Sequence, residues 1–391
     1  MQIIRAGRLI DGTGSAPRLD QAVYVENGRI AAVGPAADIP VDADVLDLSG
    51  STVLPGLIDC HVHLVFSRSA HALGDLLADD DLQLLLRGVA AAREALRAGI
   101  TTVRDLGGRG GVTFRLRDAI ASGLIAGPRI VAAGSPITTS GGHCHFLGLE
   151  ADGKRAVRAA ARRELDSGAN CLKIMATGGR MTPGTDIGRA QYTVDEICAA
   201  VDEARSANVT VAAHALGTAG IHNATEAGVD TIEHCNWLTP DGRVELDDTV
   251  AARMAERGTA VVPTLVPLAH SAALLREQVV SSTRKSRELG VRIVAGTDAG
   301  VSLTPFDSLP RELEILVSEV GLSPLEAIQA ATGDAAAAIG IADTVGTLTA
   351  GRAADILAVD GDPSVSIDDL RAIRMVIKDG RRVAERGVLL E

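Results

Sequence analysis

Apolar residues along this chain come in two textures. Over the first 55 positions they form short alternating runs, Ile3-Ile4, Val23-Tyr-Val25, Ile30-Ala-Ala-Val33 and Val45-Leu-Asp-Leu48, punctuated by Asp11-Gly12, Asn27-Gly28 and Ser49-Gly50. A two-residue period with Asn-Gly turns predicts strands and hairpins. After Pro55 the period changes. Compact apolar runs at 57–63, 101–105, 129–133, 171–175, 210–214, 231–234, 260–263 and 292–296 predict eight buried strands. Between them, 82–98, 154–167, 194–207, 219–227, 249–257 and 272–289 carry helical periodicity. Several of these stretches run into Gly99, Gly228, Gly258 or Gly290, residues suited to left-handed helix ends.

Eight strands alternating with helices predict an α/β protein with a parallel sheet, and the count points to a closed (β/α)8 TIM-like barrel. An open doubly wound sheet is the alternative, but the phosphate loop and dinucleotide fingerprint that usually accompany it are missing. Past residue 345 short extended runs return, at 346–348, 355–359, 374–378 and 381–383. The expected division is therefore a small β-sandwich domain made from both termini, 1–55 plus 345–391, with the catalytic barrel, 56–344, inserted between its halves.

Composition narrows the function classes. The 391 residues are 46% hydrophobic and carry no long charge block, which argues against disorder. A net charge of −12, spread along the chain, disfavours nucleic acid or an anionic membrane as partner. No apolar run reaches membrane-spanning length, and the first residues lack the apolar centre of a signal peptide. The expectation is a cytoplasmic protein acting on a small molecule. Five cysteines, Cys60, Cys144, Cys171, Cys198 and Cys235, form no Cys-x-x-Cys pair and read as reduced, apolar packers.

The candidate chemistry begins at Asp59-Cys-His-Val-His63. Residues two apart on a strand face the same side, so His61 and His63 can reach one metal ion. Four more polar groups fall at the ends of predicted strands: Lys173, His214, His234 and Asp298. Taken singly, His214 could be a hydrogen-bonded core histidine, Asp298 a helix cap and Lys173 a snorkelling cation. Together they put six polar groups at one end of five apolar strands, the end where active sites of this architecture gather, and each faces a burial cost if it has no partner.

With these motifs the chain resembles the amidohydrolase superfamily, most closely the binuclear-metal branch of Xaa-Pro and Xaa-Lys/Arg dipeptidases related to imidazolonepropionase. The resemblance rests on Pro-Gly-Leu-Ile-Asp-Cys-His-Val-His at 55–63, Gly-Ile-Thr-Thr-Val-Arg-Asp at 99–105 and Leu-Lys-Ile-Met at 172–175. It continues with His-Ala at 214–215, Ala-Gly-Val-Asp-Thr-Ile-Glu-His at 227–234, Gly-Thr-Asp-Ala-Gly at 296–300 and Gly-Arg-Ala-Ala-Asp-Ile at 351–356. It implies two divalent metal ions, zinc by ligand chemistry. His61, His63 and Asp298 would hold one, His214 and His234 the other, and an N6-carboxylated Lys173 would bridge them. Asp298 would shuttle a proton to the leaving nitrogen, and His143 in Ser140-Gly-Gly-His143 would contact substrate. Deaminases of the superfamily place a glutamate three residues after the histidine of the fifth strand; Gly217 stands there. Hydrolysis of a C–N bond by a metal-bridging hydroxide is the expectation, with homo-oligomeric assembly. Ester, lactone or organophosphate hydrolysis and cyclic-amide hydrolysis or deamination are the enzymatic alternatives. A metal-free scaffold would be expected to lack ligands this chain retains.

Only seven residues are aromatic. Phe66, Phe146, Tyr192, Trp237 and Phe306 fall on segments after the predicted strands, which predicts an apolar pocket for a bulky group, with packing between loops as the plainer reading. Phe146, Tyr192 and Trp237, together with His143, are the expected substrate contacts. Of the loop cations Arg109, Arg180 and Arg189, any could bind a carboxylate. The expected substrate is a dipeptide or N-acyl amino acid with a hydrophobic or aromatic group.

Overall fold

The computed structural model describes residues 1–390. Its centre is a ring of parallel strands: β1 (Leu57–Val62), β2 (Ile100–Asp105), β3 (Arg129–Ala132), β4 (Cys171–Met175), β5 (Thr210–Gly217), β6 (Thr231–Leu238) and β7 (Ala260–Val262). β1–β2–β3 pair as one sheet, and β4–β5–β6–β7 lie in another. Backbone hydrogen bonds outside these ladders close the gaps. Asn170 N–H donates to the Ala132 carbonyl at 2.8 Å between β3 and β4. The 292–299 segment bonds Val261 on one side and Cys60, His61 and His63 on the other. That segment takes the eighth position, but as isolated bridges rather than a regular strand. Asp298 has a left-handed φ of 58°, which breaks the extended path where it meets the site.

Alternate residues of these strands divide into two cores. Ile58, Cys60, Val131, Cys171, Ala212, Val262 and Val294 form one buried cluster inside the ring. Leu57, Val103, Ile130, Leu172, Val211, Ile232 and Val261 join the larger cluster under the surrounding helices. This is the layered packing that fills a barrel and leaves the strand ends for chemistry.

Local signals fix the helices. Helix Val194–Ser206 starts with a capping box between Thr193 and Glu196. Gly228 and Gly258 end their helices at φ 77° and 74°, a conformation that costs glycine little.

Strands from both ends of the chain form a single eight-stranded sheet. In it Ile356–Val359 pairs antiparallel with Val45–Pro55, which runs parallel to Gln2–Leu9. Its apolar faces share one core containing Ile4, Val23, Ile30, Val53, Ile356 and Met375. The sheet's far edge returns on itself, with Ile30 N–H donating to the Arg352 carbonyl at 2.8 Å. Among the described residues no helix is long and apolar enough to cross a membrane.

Candidate metal centre

At the C-terminal end of the ring three donor atoms converge. His61 Nε2 and His63 Nε2 are 3.3 Å apart. Asp298 Oδ1 lies 3.4 Å from the first and 3.3 Å from the second. A point equidistant from three atoms so spaced lies about 1.9 Å from each, close to the roughly 2.0–2.1 Å of a zinc–ligand bond. These three residues form a candidate divalent-metal triad. Three more imidazoles continue the row: ring centroids are 5.1 Å apart for His61–His234, 4.8 Å for His234–His214 and 4.4 Å for His214–His143.

Backbone irregularities aim these groups. The β1–β2 register shifts between Asp59 and Val62. Asp59 Oδ1 accepts from the His61 and Thr297 amides at 3.1 and 3.0 Å, and Oδ2 accepts from the Thr297 hydroxyl. One buried carboxyl therefore ties the His61 turn to the Asp298 turn. On β6, His234 has a φ of 68°, so strand alternation stops and both Glu233 and His234 can turn inward.

Each of four imidazoles uses one nitrogen on an outer partner. His61 Nδ1–H donates to Glu233 Oε2 at 2.8 Å, His63 Nδ1–H to the Gly107 carbonyl at 3.3 Å, and His214 Nε2–H to the Gly178 carbonyl at 3.1 Å. His234 Nδ1 bonds the Thr264 hydroxyl at 2.7 Å. These bonds leave one nitrogen of each ring free, the tautomer pattern a metal-ligating histidine needs.

Burial pushes His61 and His214 well below their ordinary value and lowers His234 to about 4, so these rings are neutral at pH 7. Burial, reinforced by the neighbouring His234 and Lys173, takes His143 down to about 3. Burial alone would raise Asp298, but the surrounding imidazoles outweigh it and hold the carboxyl far below its usual range. Lys173 is 1% exposed, and its Nζ has no hydrogen-bond partner among the described residues. Desolvation lowers it from 10.5 to about 8. Neutral imidazoles, an ionised carboxylate and an unpartnered buried amine suit a cation centre and fit poorly with a packed core. The thiols of Cys60, Cys144 and Cys171, pushed up to about 12 by burial, are unsuited to nucleophilic work.

A cavity of about 160 Å³ opens over these groups. His61, His63, His143, Lys173, His214, His234 and Asp298 all line it. Its apolar wall comes from Phe66, Leu147, Met175, Met181, Leu216 and Leu268, and Arg180 stands at its rim, hydrogen-bonded to Ser271 at 3.2 Å.

Three expected substrate contacts are elsewhere. The Tyr192 hydroxyl donates to the Ala151 carbonyl at 2.9 Å inside the helix-side core. Trp237 is fully buried in that core, turned there by its left-handed φ of 57°. Phe146 packs edge-on against His145, outside the cavity. Arg109 is occupied by Leu76, Asp79 and Asp81, and Arg189 by Asp186, which leaves Arg180 as the cavity's loop arginine. Sequence reasoning missed Asp59, Glu233, Arg104 and the methionine wall. The first three had a readable signal: charged residues inside the predicted buried strands.

Comparison with known proteins agrees with this geometry. A sequence profile described as the amidohydrolase family matches residues 52–383. Ochratoxinase from Aspergillus niger is 30% identical over 99% of this chain and 87% of its own length. The crystal structure of a Xaa-Pro dipeptidase with methionine bound in its active site superposes with a TM-score of 0.86. It is 32% identical, covering 97% of this chain and 99% of that one. A prolidase complexed with N-methylphosphonate-L-proline gives 0.83 at 32% identity, over 98% and 99%.

Proposed function

The chain belongs to the amidohydrolase family, and on that premise we propose that it is a binuclear metal-dependent hydrolase of the amide bond in a dipeptide or N-acyl amino acid bearing an apolar or aromatic group. The observation that carries the reading is the convergence of four imidazoles, each with one nitrogen left free, on Asp298 and an unpartnered buried lysine. His61, His63 and Asp298 would hold one ion and His214 and His234 the other, with Lys173 between them as a carbamate. Divalent ions there, zinc by donor type, would supply water acidified to near-neutral pKa and a polarised carbonyl.

The side chains divide the remaining work. Lys173 reacts as the free amine with carbon dioxide, giving a carbamate and one proton, and its lowered pKa makes that amine accessible near neutrality. Asp298, held ionised, takes the proton of the attacking water and delivers it to the leaving nitrogen, so amide and water become acid and amine. His143, neutral and hydrogen-bonded to Thr182, is available to donate to the substrate carbonyl oxygen. The Phe66, Leu147, Met175 and Met181 wall suits an apolar group, and Arg180 suits a carboxylate. The Xaa-Pro dipeptidase with bound methionine and the prolidase complexed with N-methylphosphonate-L-proline support a dipeptide-like substrate.

The test is metal content after purification without chelator, for wild type and Lys173→Ala, beside rates on N-acyl amino acids, dipeptides and matched esters. About two ions per chain, falling sharply in the variant, with amides preferred, is expected. One ion per chain, indifferent to Lys173, refutes the binuclear reading and favours cyclic-amide or deaminase chemistry.

A further inference from the structure

Below the candidate metal centre lies a buried polar assembly with no part in the steps above. Arg104, on β2, is fully buried, and its guanidinium makes three bonds in three directions. Nε donates to the Cys60 carbonyl at 2.7 Å, Nη1 to the Thr231 hydroxyl at 2.9 Å and Nη2 to Glu233 Oε1 at 2.9 Å. Thr231 in turn donates to the same Glu233 oxygen at 2.6 Å. The other oxygen, Oε2, receives His61 Nδ1–H at 2.8 Å. Arg104, Glu233 and His61 are each 0% exposed.

We propose that Arg104 and Glu233 are positioning residues for the metal site, a charge-balanced buried pair that holds His61 in the tautomer and orientation presenting Nε2 to a cation. The inference rests on the metal-centre reading above. Three comparisons within the structure carry it. The outer partners of His63, His214 and His234 are neutral, a carbonyl, a carbonyl and a hydroxyl, whereas His61 alone among the four bonds a carboxylate. A carboxylate behind an imidazole fixes its tautomer and strengthens its free nitrogen as a ligand, commonly by 10–100-fold in metal affinity. Glu233 could not be held as a lone anion in the barrel interior; Arg104 balances it, and the Thr231 bridge leaves no oxygen of the carboxylate free. A buried ion pair is a poor stabiliser compared with apolar side chains of the same volume. Fold stability therefore does not account for placing one in the barrel interior, while control of His61 does. The pair also spans the barrel, joining β1, β2 and β6, so it registers His61 against the strand that carries His234.

The experiment measures zinc affinity of metal-free protein by competition with a chromophoric chelator, beside the melting temperature of the same metal-free samples. Arg104→Met/Glu233→Gln removes both charges and avoids a stranded one; Glu233→Asp keeps the charge but draws it away from His61. Both variants are expected to lose about 10–100-fold in affinity for one of the two ions, out of proportion to any change in melting temperature. Should the double variant fail to fold, Glu233→Asp is read alone by the same criterion. Affinity within about threefold of wild type, or a loss that merely follows destabilisation, overturns the inference. A wild-type protein that takes up no zinc refutes the functional reading and this inference with it.

Discussion

Lys173 offers the sharpest test because its chemistry turns on one proton. An ammonium can neither ligate a cation nor react with carbon dioxide; the free amine does the second and its carbamate the first. At pH 7 a lysine of ordinary pKa 10.5 is neutral in about 3 molecules of 10,000, but one lowered by burial to about 8 is neutral in about one of 11, roughly a 300-fold gain. The neutral fraction then rises to about half at pH 8 and about nine-tenths at pH 9. Across that range His234, near 4, and His143, near 3, stay neutral, while the buried acids Asp59, near 7, and Glu312, near 8, also titrate, so the part that belongs to Lys173 is read as the difference from a variant lacking its amine. With bicarbonate adjusted at each pH so that dissolved carbon dioxide stays constant, metal-free protein should reload zinc about five times faster at pH 8 than at pH 7, and about ten times faster at pH 9. The linkage has a matching sign. A base whose folded pKa is depressed binds fewer protons when folded, so stability of the metal-free protein rises as pH climbs from about 8 to 10.5, by up to about 3 kcal/mol. Lys173→Met should abolish both the bicarbonate-dependent reloading and this part of the stability slope. Bound metal by elemental analysis and melting temperatures at matched pH read the two effects. Reloading that is flat from pH 7 to 9, or unaffected by removing bicarbonate, refutes the reasoning.

Other substitutions probe the surroundings. A Cβ on Gly179 would sit 2.3 Å from His143 Nε2, so Gly179→Ala should displace that ring and lower kcat/KM about 10–100-fold while melting changes little; unchanged kinetics would remove His143 from the mechanism. Gly300 has a φ of 103°, and its Cβ would meet the His63 carbonyl at 2.2 Å, so Gly300→Ala should cost about 2–4 kcal/mol in urea unfolding. Buried Glu312 accepts from the Leu265 and Val266 amides at 2.9 Å each, and burial raises it to about 8. A raised acid stabilises the fold fully below its ordinary 4.5 and loses that contribution as pH rises through 8. Wild-type stability relative to Glu312→Gln should therefore fall between pH 5 and 8, by up to about 5 kcal/mol, as melting temperatures would register. Trp237→Phe should leave KM for an aromatic substrate within twofold and act only on stability, because the indole is packed in the core with an unpartnered N–H.

What the sequence made legible was periodic. Apolar runs broken by helical stretches are enough to order the barrel strands, and a histidine pair two apart at the end of a buried strand marks the site. The shortfalls lie where periodicity stops. The eighth position carries isolated bridges because Gly296 and Asp298 bend the chain onto β1, with the Asp298 amide donating to the His61 carbonyl at 2.8 Å. The aromatic residues show the same limit. Phe66 and Trp237 each follow a histidine by three positions, and nothing in that spacing separates them. Phe66 lies on the cavity with its ring 5.5 Å from His63, while left-handed backbone at Cys235 and Trp237 carries the indole into the helix-side core. A site built on strained strand ends conceals its wall from pattern reading while leaving its floor visible. The floor is where Arg104 and Glu233 lie. Both fall on the inward parity of their strands, each directly after an apolar residue that faces the helices, Val103 for the first and Ile232 for the second. Two opposite charges on the inner face of an apolar ring demand each other for electrostatic reasons alone. Glu233 immediately precedes His234, so the irregular backbone there lets one strand contribute both an imidazole and the carboxylate behind a different imidazole.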